Sequence, residues 1–295
     1  MNTEIEELII KQTNIVAGSV LNMLHGEYTL LPRFGYHWPI DHDSITLPPS
    51  FEATENDSSG LPVPTGQDRY GYATEDTQEY LAWGKYDHDL LIATIEKYLK
   101  SDKFNKTILD FGCSTGRVLR HFEFERKSQG WNLYGCDIQA RCIEWIRHHF
   151  HEYFNVISCS TIPHLQYQDN TFDVIYGFSV FTHIKYQWDA WLMELRRVLK
   201  PGGLLIQTIH TETAWDTYYR SRDEEWVKSS HTPRVYETPV MDVDYLYYGD
   251  VSHSQIFWKK QIAVKFWGRY FEVLERMDPP ERSFQDWMIC RKEVS

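Results

Sequence analysis

From about Asp87 onward the chain alternates short apolar runs with longer stretches in which apolar residues recur every three or four positions. The short runs predict strands at 107–111 (TILDF), 132–137 (NLYGCD), 155–159 (NVISC), 172–178 (FDVIYGF) and 204–210 (LLIQTIH). Between the fourth and fifth, Trp188, Trp191, Leu192, Leu195, Val198 and Leu199 form one helical stripe, and KPGG at 200–203 stops that helix and turns the chain. Cys142, Ile143, Ile146 and Phe150 make a similar stripe after the second strand. Near the end of the sequence, YFEVLERM (270–277) and DWMICR (286–291) predict an antiparallel pair turning at Pro279 and Pro280. Such alternation predicts an α/β fold, a doubly wound parallel sheet covered by helices on both faces.

Two regions escape the alternation. Residues 1–86 include a Pro-, Ser- and Gly-rich stretch at 47–66 that reads as loop, and 211–262 separates the fifth strand from the final pair. Both are dense in aromatics: Tyr28, Phe34, Tyr36, Trp38, Tyr70, Tyr72, Tyr80 and Trp83 in the first, Trp215, Tyr218, Tyr219, Trp226, Tyr236, Tyr245, Tyr247 and Tyr248 in the second. We expect a core at 87–295 with an N-terminal covering segment at 1–86 and an inserted cap at about 211–262. Both would lie over the C-terminal edge of the sheet, where open α/β sheets bind ligands. The aromatics would serve as the cap's own core or as a pocket for a cation or a flat or sugar-like acceptor.

Composition narrows the function. Aromatics are 15% of the 295 residues, with 11 Trp and 19 Tyr, which requires an ordered interior. A formal net charge of -12 disfavours binding along a phosphate backbone, so no nucleic-acid partner is expected; a neutral or cationic small molecule suits it better. No run is apolar enough to span a membrane, and the opening MNTEIEELII is acidic where a secretory leader is basic, so a cytoplasmic protein with no membrane partner is expected. Cys113, Cys136, Cys142, Cys159 and Cys290 are odd in number and lack a CxxC pair, signalling neither disulfides nor zinc. His148 and His151 share a helical face but have no third ligand, so no metal is expected.

The chemistry concentrates in ILDFGCSTGR, residues 108–117. A strand ending at Asp110 opens into Gly112 and Gly116 and then into the helix-like RVLRHFEFE, bringing bare backbone and unpaired N–H groups to a ligand. Asp137, at the end of the next strand and 25 residues beyond Gly112, is placed to accept both hydroxyls of a ribose. A nucleoside-containing cofactor follows, either a nicotinamide dinucleotide or S-adenosylmethionine. In GCSTGR the second and third positions are Cys113 and Ser114, so the GxGxxG loop that seats a pyrophosphate is not formed.

ILDFGCSTGR, YGCDIQ, FDVIYGFSVFTHI and LRRVLKPGG, in this order and spacing, resemble the class I S-adenosylmethionine-dependent methyltransferases, notably their bacterial small-molecule branch. The resemblance covers roughly 87–210 and, more loosely, the last 35 residues. It implies a Rossmann-like, seven-stranded sheet of order 3-2-1-4-5-7-6 with strand 7 antiparallel, and S-adenosylmethionine as cofactor, leaving as S-adenosylhomocysteine. By the same resemblance Asp110, Gly112, Cys113 and Gly116 shape the loop around the cofactor's amino-acid part. Asp137 holds the ribose, Ile138 packs near the adenine, and Gly177, Phe178 and Ser179 lie by the sulfonium. Arg117 contacts the cofactor carboxylate or pairs with an acid. Ser114 departs from the family's middle glycine. No acid follows the third strand, so Ser158, Cys159 or a backbone carbonyl would meet the adenine amino group.

Methyl transfer is an in-line displacement at carbon that needs alignment and exclusion of water. An amine attacks once neutral, whereas a hydroxyl requires a general base. His210 and His183, at or just beyond strand ends, are the candidates, with His253 and Asp250 in the inserted segment. The expected activity is methyl transfer to oxygen or nitrogen of a small, natural-product-like metabolite. A saccharide O-methyltransferase, a non-catalytic nucleotide-binding scaffold and a dehydrogenase are the alternatives.

Overall fold

The computed structural model describes residues 53–69, 75–99, 103–150, 152–185, 187–228, 238–248 and 255–294. Two short strands, β1 (Ala53–Asn56) and β2 (Pro62–Pro64), precede a long helix, α1 (Thr77–Tyr98). Asp76 caps α1, its carboxylate accepting the backbone N–H of Gln78 at 2.8 Å and of Glu79 at 3.0 Å. Tyr80, Gly84, His88, Leu91, Thr94 and Ile95 form its buried face. This helix runs through residues 86 and 87, so the division expected there falls inside one element.

Seven strands form the central sheet: β3 (Thr107–Phe111), β4 (Asn132–Asp137), β5 (Asn155–Ser158), β6 (Phe172–Gly177), β7 (Leu199–Ile209), β10 (Glu272–Met277) and β11 (Asp286–Arg291). Their order is β5-β4-β3-β6-β7-β11-β10. The first five are mutually parallel, and β11 runs antiparallel to both β7 and β10. This is the expected order, and it places the switch in strand direction of progression between β3 and β6, the point at which such sheets bind ligands.

Alternation along the strands sorts the core into two layers. Ile108, Leu133, Val174, Leu204 and Ile206 face α1 and α3 (Ala140–Phe150), whose Ile143, Ile146 and Phe150 are buried there. Leu109, Ile175, Leu205 and Ile209 face the opposite layer, where α4 (Trp188–Val198) contributes Trp191, Leu192 and Leu195, and α7 (Lys260–Trp267) contributes Ala263 and Trp267.

Two sequence expectations need correction. KPGG does not separate helix from strand by a turn: β7 begins at Leu199, and the backbones of Gly202 and Gly203 pair with Lys292 at 2.8 and 3.0 Å. That pairing with the chain just beyond β11, together with a register shift opposite Phe172 and Val174, absorbs the glycines into the strand. Nor does one helix follow the GCSTGR loop. His121 and Phe122 donate to Val118 and Leu119, three residues back, making a 3-10 turn at Leu119–His121 before the short α2 (Glu123–Gln129).

Beyond β7, α5 (Glu212–Arg220), α6 (Glu225–Lys228) and the antiparallel pair β8 (Tyr245–Tyr248) and β9 (Gln255–Trp258) enclose a third cluster including Trp215, Tyr218, Met241 and Phe257. Trp215 and Tyr218 are thus interior residues of this region. β9 meets the end of β7, with Trp258 N–H donating to the His210 carbonyl at 2.9 Å. At the other end of the chain, the buried Arg120 holds the β1–β2 turn by donating to Asp57 at 2.8 Å and to the carbonyls of Leu61 and Pro62 at 3.0 and 2.8 Å.

Gly84 marks the tightest approach of α1 to the rest of the fold: a Cβ there would lie 2.3 Å from the Arg117 carbonyl oxygen and 2.9 Å from His121 Nε2. In an open helix Gly→Ala stabilises by roughly 0.5–1 kcal/mol. Here the backbone cannot yield cheaply, so Gly84→Ala is expected to cost about 1–3 kcal/mol, seen as a lower urea midpoint. An unchanged or raised midpoint would contradict this packing.

Candidate functional site

The site is built where β3 and β4 end. Gly112 and Cys113 both donate their N–H groups to the Cys136 carbonyl, at 2.8 and 3.1 Å, which bends the loop over the end of β4. Gly112 holds φ at +87°, and a Cβ would meet Val180 Cγ2 at 2.3 Å, so only glycine fits. Ser114 also adopts a left-handed conformation, with φ at +47°. That is the conformation the family's glycine supplies without strain, and here serine is held in it by Asp137, whose Oδ2 accepts the Ser114 N–H at 2.8 Å. The other oxygen accepts the Gln139 N–H at 2.8 Å. Burial pushes Asp137 up from the ordinary carboxylate range, and these backbone donors draw it back.

Asp110 is buried at 3% exposure and accepts the Tyr176 hydroxyl at 2.9 Å. Burial pushes its carboxyl up to about 7; Tyr176 and Arg117 oppose the rise and the charge of Asp137 adds to it. A small pocket opens beside Asp110, Gly112, Cys113 and Ser114, and Arg69, Tyr80, Arg117, Val118 and Phe178 complete its wall. Arg117 Nη1 pairs with Asp87 Oδ2 of α1 at 2.7 Å, with its guanidinium 6.0 Å from the Phe178 ring. Of the two roles considered for Arg117, pairing with an acid is the one observed.

Arg69 is not among the residues expected at the site, and Tyr80 stands in that expectation only as one of the aromatics of the N-terminal segment. Arg69 donates to the Pro64 carbonyl at 3.0 Å and to Thr77 Oγ1 at 2.7 Å, with its guanidinium 5.1 Å from the Tyr80 ring. Thr115, in the loop itself, donates to the Asp68 carbonyl at 2.9 Å, and Asp68 pairs with Arg141 at 2.6 Å. The chain before α1 is therefore fastened to the loop. Nothing in QDRYGY announces this beyond one arginine among aromatics.

At the end of β5, Ser158 stands opposite Asp137 in the strand register, and its Oγ is buried without a hydrogen-bond partner. The next residue, Cys159, donates its N–H to the Asp137 carbonyl at 2.9 Å. Ile138 packs partly buried against the adjoining core layer. An orphaned hydroxyl, two carboxylates and a bare-backbone loop fit a polar nucleoside-bearing ligand.

Further along the same edge, β6 ends at Gly177, followed by Phe178, whose ring packs edge-on to Trp287 at 5.2 Å. Ser179 is left-handed, with φ at +57°, and donates its N–H to Thr208 Oγ1 at 2.7 Å. Its Oγ lies 2.8 Å from Gln285 Nε2, and that nitrogen is 3.4 Å from His210 Nε2. His210 is buried, stacked on Phe257 at 5.1 Å. Burial, with a smaller contribution from the nearby His183, lowers its pKa to about 3. The structure thus joins Ser179 and His210 through Gln285, a residue absent from the sequence candidates. His183 is exposed, in the turn after β6, with its N–H on the Val180 carbonyl at 2.9 Å. His253, Asp250 and His151 lie outside the described residues. Among the described residues no group of three metal-ligating side chains occurs, and no helix is long and apolar enough to cross a membrane.

The seven-stranded order, with its antiparallel terminal strand, is that of the class I S-adenosylmethionine-dependent methyltransferase fold. The profile of the methyltransferase-domain family matches residues 83–276, and the chain belongs to that family. It is 28% identical over 148 residues to a protein of Bos taurus named Probable tRNA methyltransferase 9B, an alignment spanning 49% of this chain and 30% of that one. An uncharacterized protein of Methanocaldococcus jannaschii is 28% identical over 123 residues, 41% of this chain and 49% of the relative. The chain thus spans less than half the length of these curated relatives. Among solved structures, the 1,6-didemethyltoxoflavin-N1-methyltransferase of Burkholderia thailandensis, with S-adenosylhomocysteine bound, is similar at a TM-score of 0.49 and 12% identity, over 77% of this chain and 84% of that one. An S-adenosylmethionine-dependent methyltransferase of Mesorhizobium loti gives a TM-score of 0.47 at 11% identity, over 69% and 96% of the two chains.

The elevated Asp110 has a thermodynamic signature. The folded protein holds this proton up to about pH 7, whereas the unfolded chain releases it near about pH 4. Between those values the native state binds more protons, so stability falls as pH rises, and the dependence ends above the folded pKa. Asp110→Asn cannot titrate; its stability relative to the parent should therefore increase from pH 4 to pH 7 and then level off. Denaturation midpoints that run parallel for the two proteins across this range would contradict the assignment.

Proposed function

We propose that this methyltransferase acts on the oxygen or nitrogen of a small-molecule acceptor bound at the C-terminal edge of the sheet, beside Phe178, Ser179 and His210. The observation that carries the reading is the continuity of one edge: the Gly112–Gly116 loop and Asp137 at one end, and the ring-lined polar cluster of Ser179, His210 and Gln285 at the other. Asp110, Gly112, Cys113 and Gly116 surround the amino-acid part of the cofactor, with Arg69 and Tyr80 closing that end. Asp137 takes the ribose hydroxyls, Ile138 flanks the adenine, and the free Ser158 hydroxyl serves in place of the missing acid. Gly177, Phe178 and Ser179 border the reacting centre.

Bound S-adenosylmethionine would supply an electrophilic methyl group, the C–S bond breaking as a C–N or C–O bond forms on the acceptor. The protein's own work is alignment and exclusion of water. His210 is neutral and desolvated, suited to accept a hydrogen bond from the acceptor, and the described part of 211–262 screens it from solvent. The acid-rich chain, net charge -12, supports a small neutral or cationic acceptor. A nucleic-acid acceptor is the second reading, resting on the partial likeness to the bovine protein named a tRNA methyltransferase.

Calorimetric titration tests the cofactor half. S-adenosylhomocysteine should bind the cofactor-free protein with one site and micromolar affinity, while NAD should not bind. Asp137→Ala removes a charged acceptor of ribose hydroxyls and should weaken that binding by about 1.5–3 kcal/mol, or roughly ten- to a hundredfold. Binding of NAD, or unchanged affinity in Asp137→Ala, would overturn these assignments.

A further inference from the structure

Gln285 lies immediately before β11, in the loop that follows β10, and its amide reaches two residues of the acceptor edge at once. Nε2 is 2.8 Å from Ser179 Oγ and 3.4 Å from His210 Nε2, and Oε1 is 3.1 Å from Ser179 Oγ. An amide nitrogen only donates, so its contact with His210 requires a lone pair on Nε2 and leaves the ring proton on Nδ1. Nδ1, on the opposite side of the ring, is buried without a hydrogen-bond partner, so the Gln285 amide is the polar group that selects the tautomer.

Both partners are held in place. The imidazole is packed among Phe257, Phe284 and Tyr218, at 5.1, 5.6 and 5.8 Å between ring centres, which resists a ring flip. Ser179 is fixed by its left-handed backbone and by Thr208. The loop is anchored on each side of Gln285: Ser283 Oγ accepts the Gln285 N–H at 3.0 Å, and the fully buried Asp286 accepts Thr211 Oγ1 at 2.7 Å and pairs with Arg276. The ionisable groups around His210 are His183 beyond β6, Tyr218 of α5, and Asp286, the last already engaged by Thr211 and Arg276.

Building on the methyltransferase reading above, we propose that Gln285 is a positioning residue that fixes His210 as its neutral Nδ1–H tautomer. Its N–H group occupies Nε2 until the acceptor's own O–H or N–H replaces it. The substrate class that follows is one carrying a hydrogen-bond donor at the methylated atom, received by His210 Nε2 and Ser179 Oγ together.

The tautomer can be read without knowing the acceptor. The full chain is labelled with 15N-histidine, and imidazole long-range 1H–15N correlations are recorded at neutral pH, with His210→Gln giving the assignment. The parent should show Nδ1–H with an unprotonated Nε2. In Gln285→Glu a carboxylate replaces the donor, so the proton should move to Nε2 or the ring should become doubly protonated. A parent ring protonated at Nε2 would overturn the proposal, as would an unchanged tautomer in folded Gln285→Glu. If that variant does not fold, Gln285→Leu decides: a mixture of tautomers supports the role, and full retention of Nδ1–H refutes it. Titration of the same samples with S-adenosylhomocysteine keeps the two ideas apart. Failure to bind would remove the methyltransferase reading while leaving the tautomer result standing.

Discussion

Asp137 is the constraint on which the ends of β3, β4 and β5 depend. Its carboxylate accepts the N–H groups of Ser114 and Gln139, and its carbonyl accepts that of Cys159. One residue therefore ties the loop after β3, the entry to α3 and the end of β5 to a single point. A carboxylate offers about four acceptor positions, so two oxygens already engaged by backbone still have capacity for further donors. Its buried charge would be costly without those amides, and the same amides hold Ser114 in a conformation that serine otherwise avoids.

The described residues just before α1, 53–69, are fastened to the same loop. Arg120, from the 3-10 turn after the loop, gathers Asp57, Leu61 and Pro62, while Thr115 and Arg141 fasten Asp68. Arg69 and Tyr80 are thereby brought against the cavity beside Asp110. Loop, preceding chain and α1 form one interlocked body, with Gly84 permitting the close contact between helix and loop.

The sheet was legible because its inner strands are buried on both faces and read as continuous apolar runs. TILDF and NLYGCD were bounded as observed, and the final antiparallel pair followed from its short connection. α1 escaped notice because Gly84, Lys85, Asp87 and Asp89 interrupt its apolar stripe, although its buried face is continuous once packed. KPGG misled because a turn signature can also be absorbed into a strand when a neighbouring backbone pairs with it, as Lys292 does here. In the proposed site, Asp110, Gly112, Gly116 and Asp137 were visible because local backbone geometry demands them. Arg69 and Gln285 were not, and Tyr80 stood out only as one aromatic among many, since each reaches the site by tertiary packing from a polar or aromatic stretch with no periodic signal.

A crystal structure of the full chain grown with S-adenosylhomocysteine tests the central claim most directly. The account predicts the ribose hydroxyls within hydrogen-bond distance of Asp137, the adenine beside Ile138 and Ser158, and the amino-acid end between Asp110 and Arg69. A ligand bound elsewhere, or a ribose that makes no contact with Asp137, would contradict it.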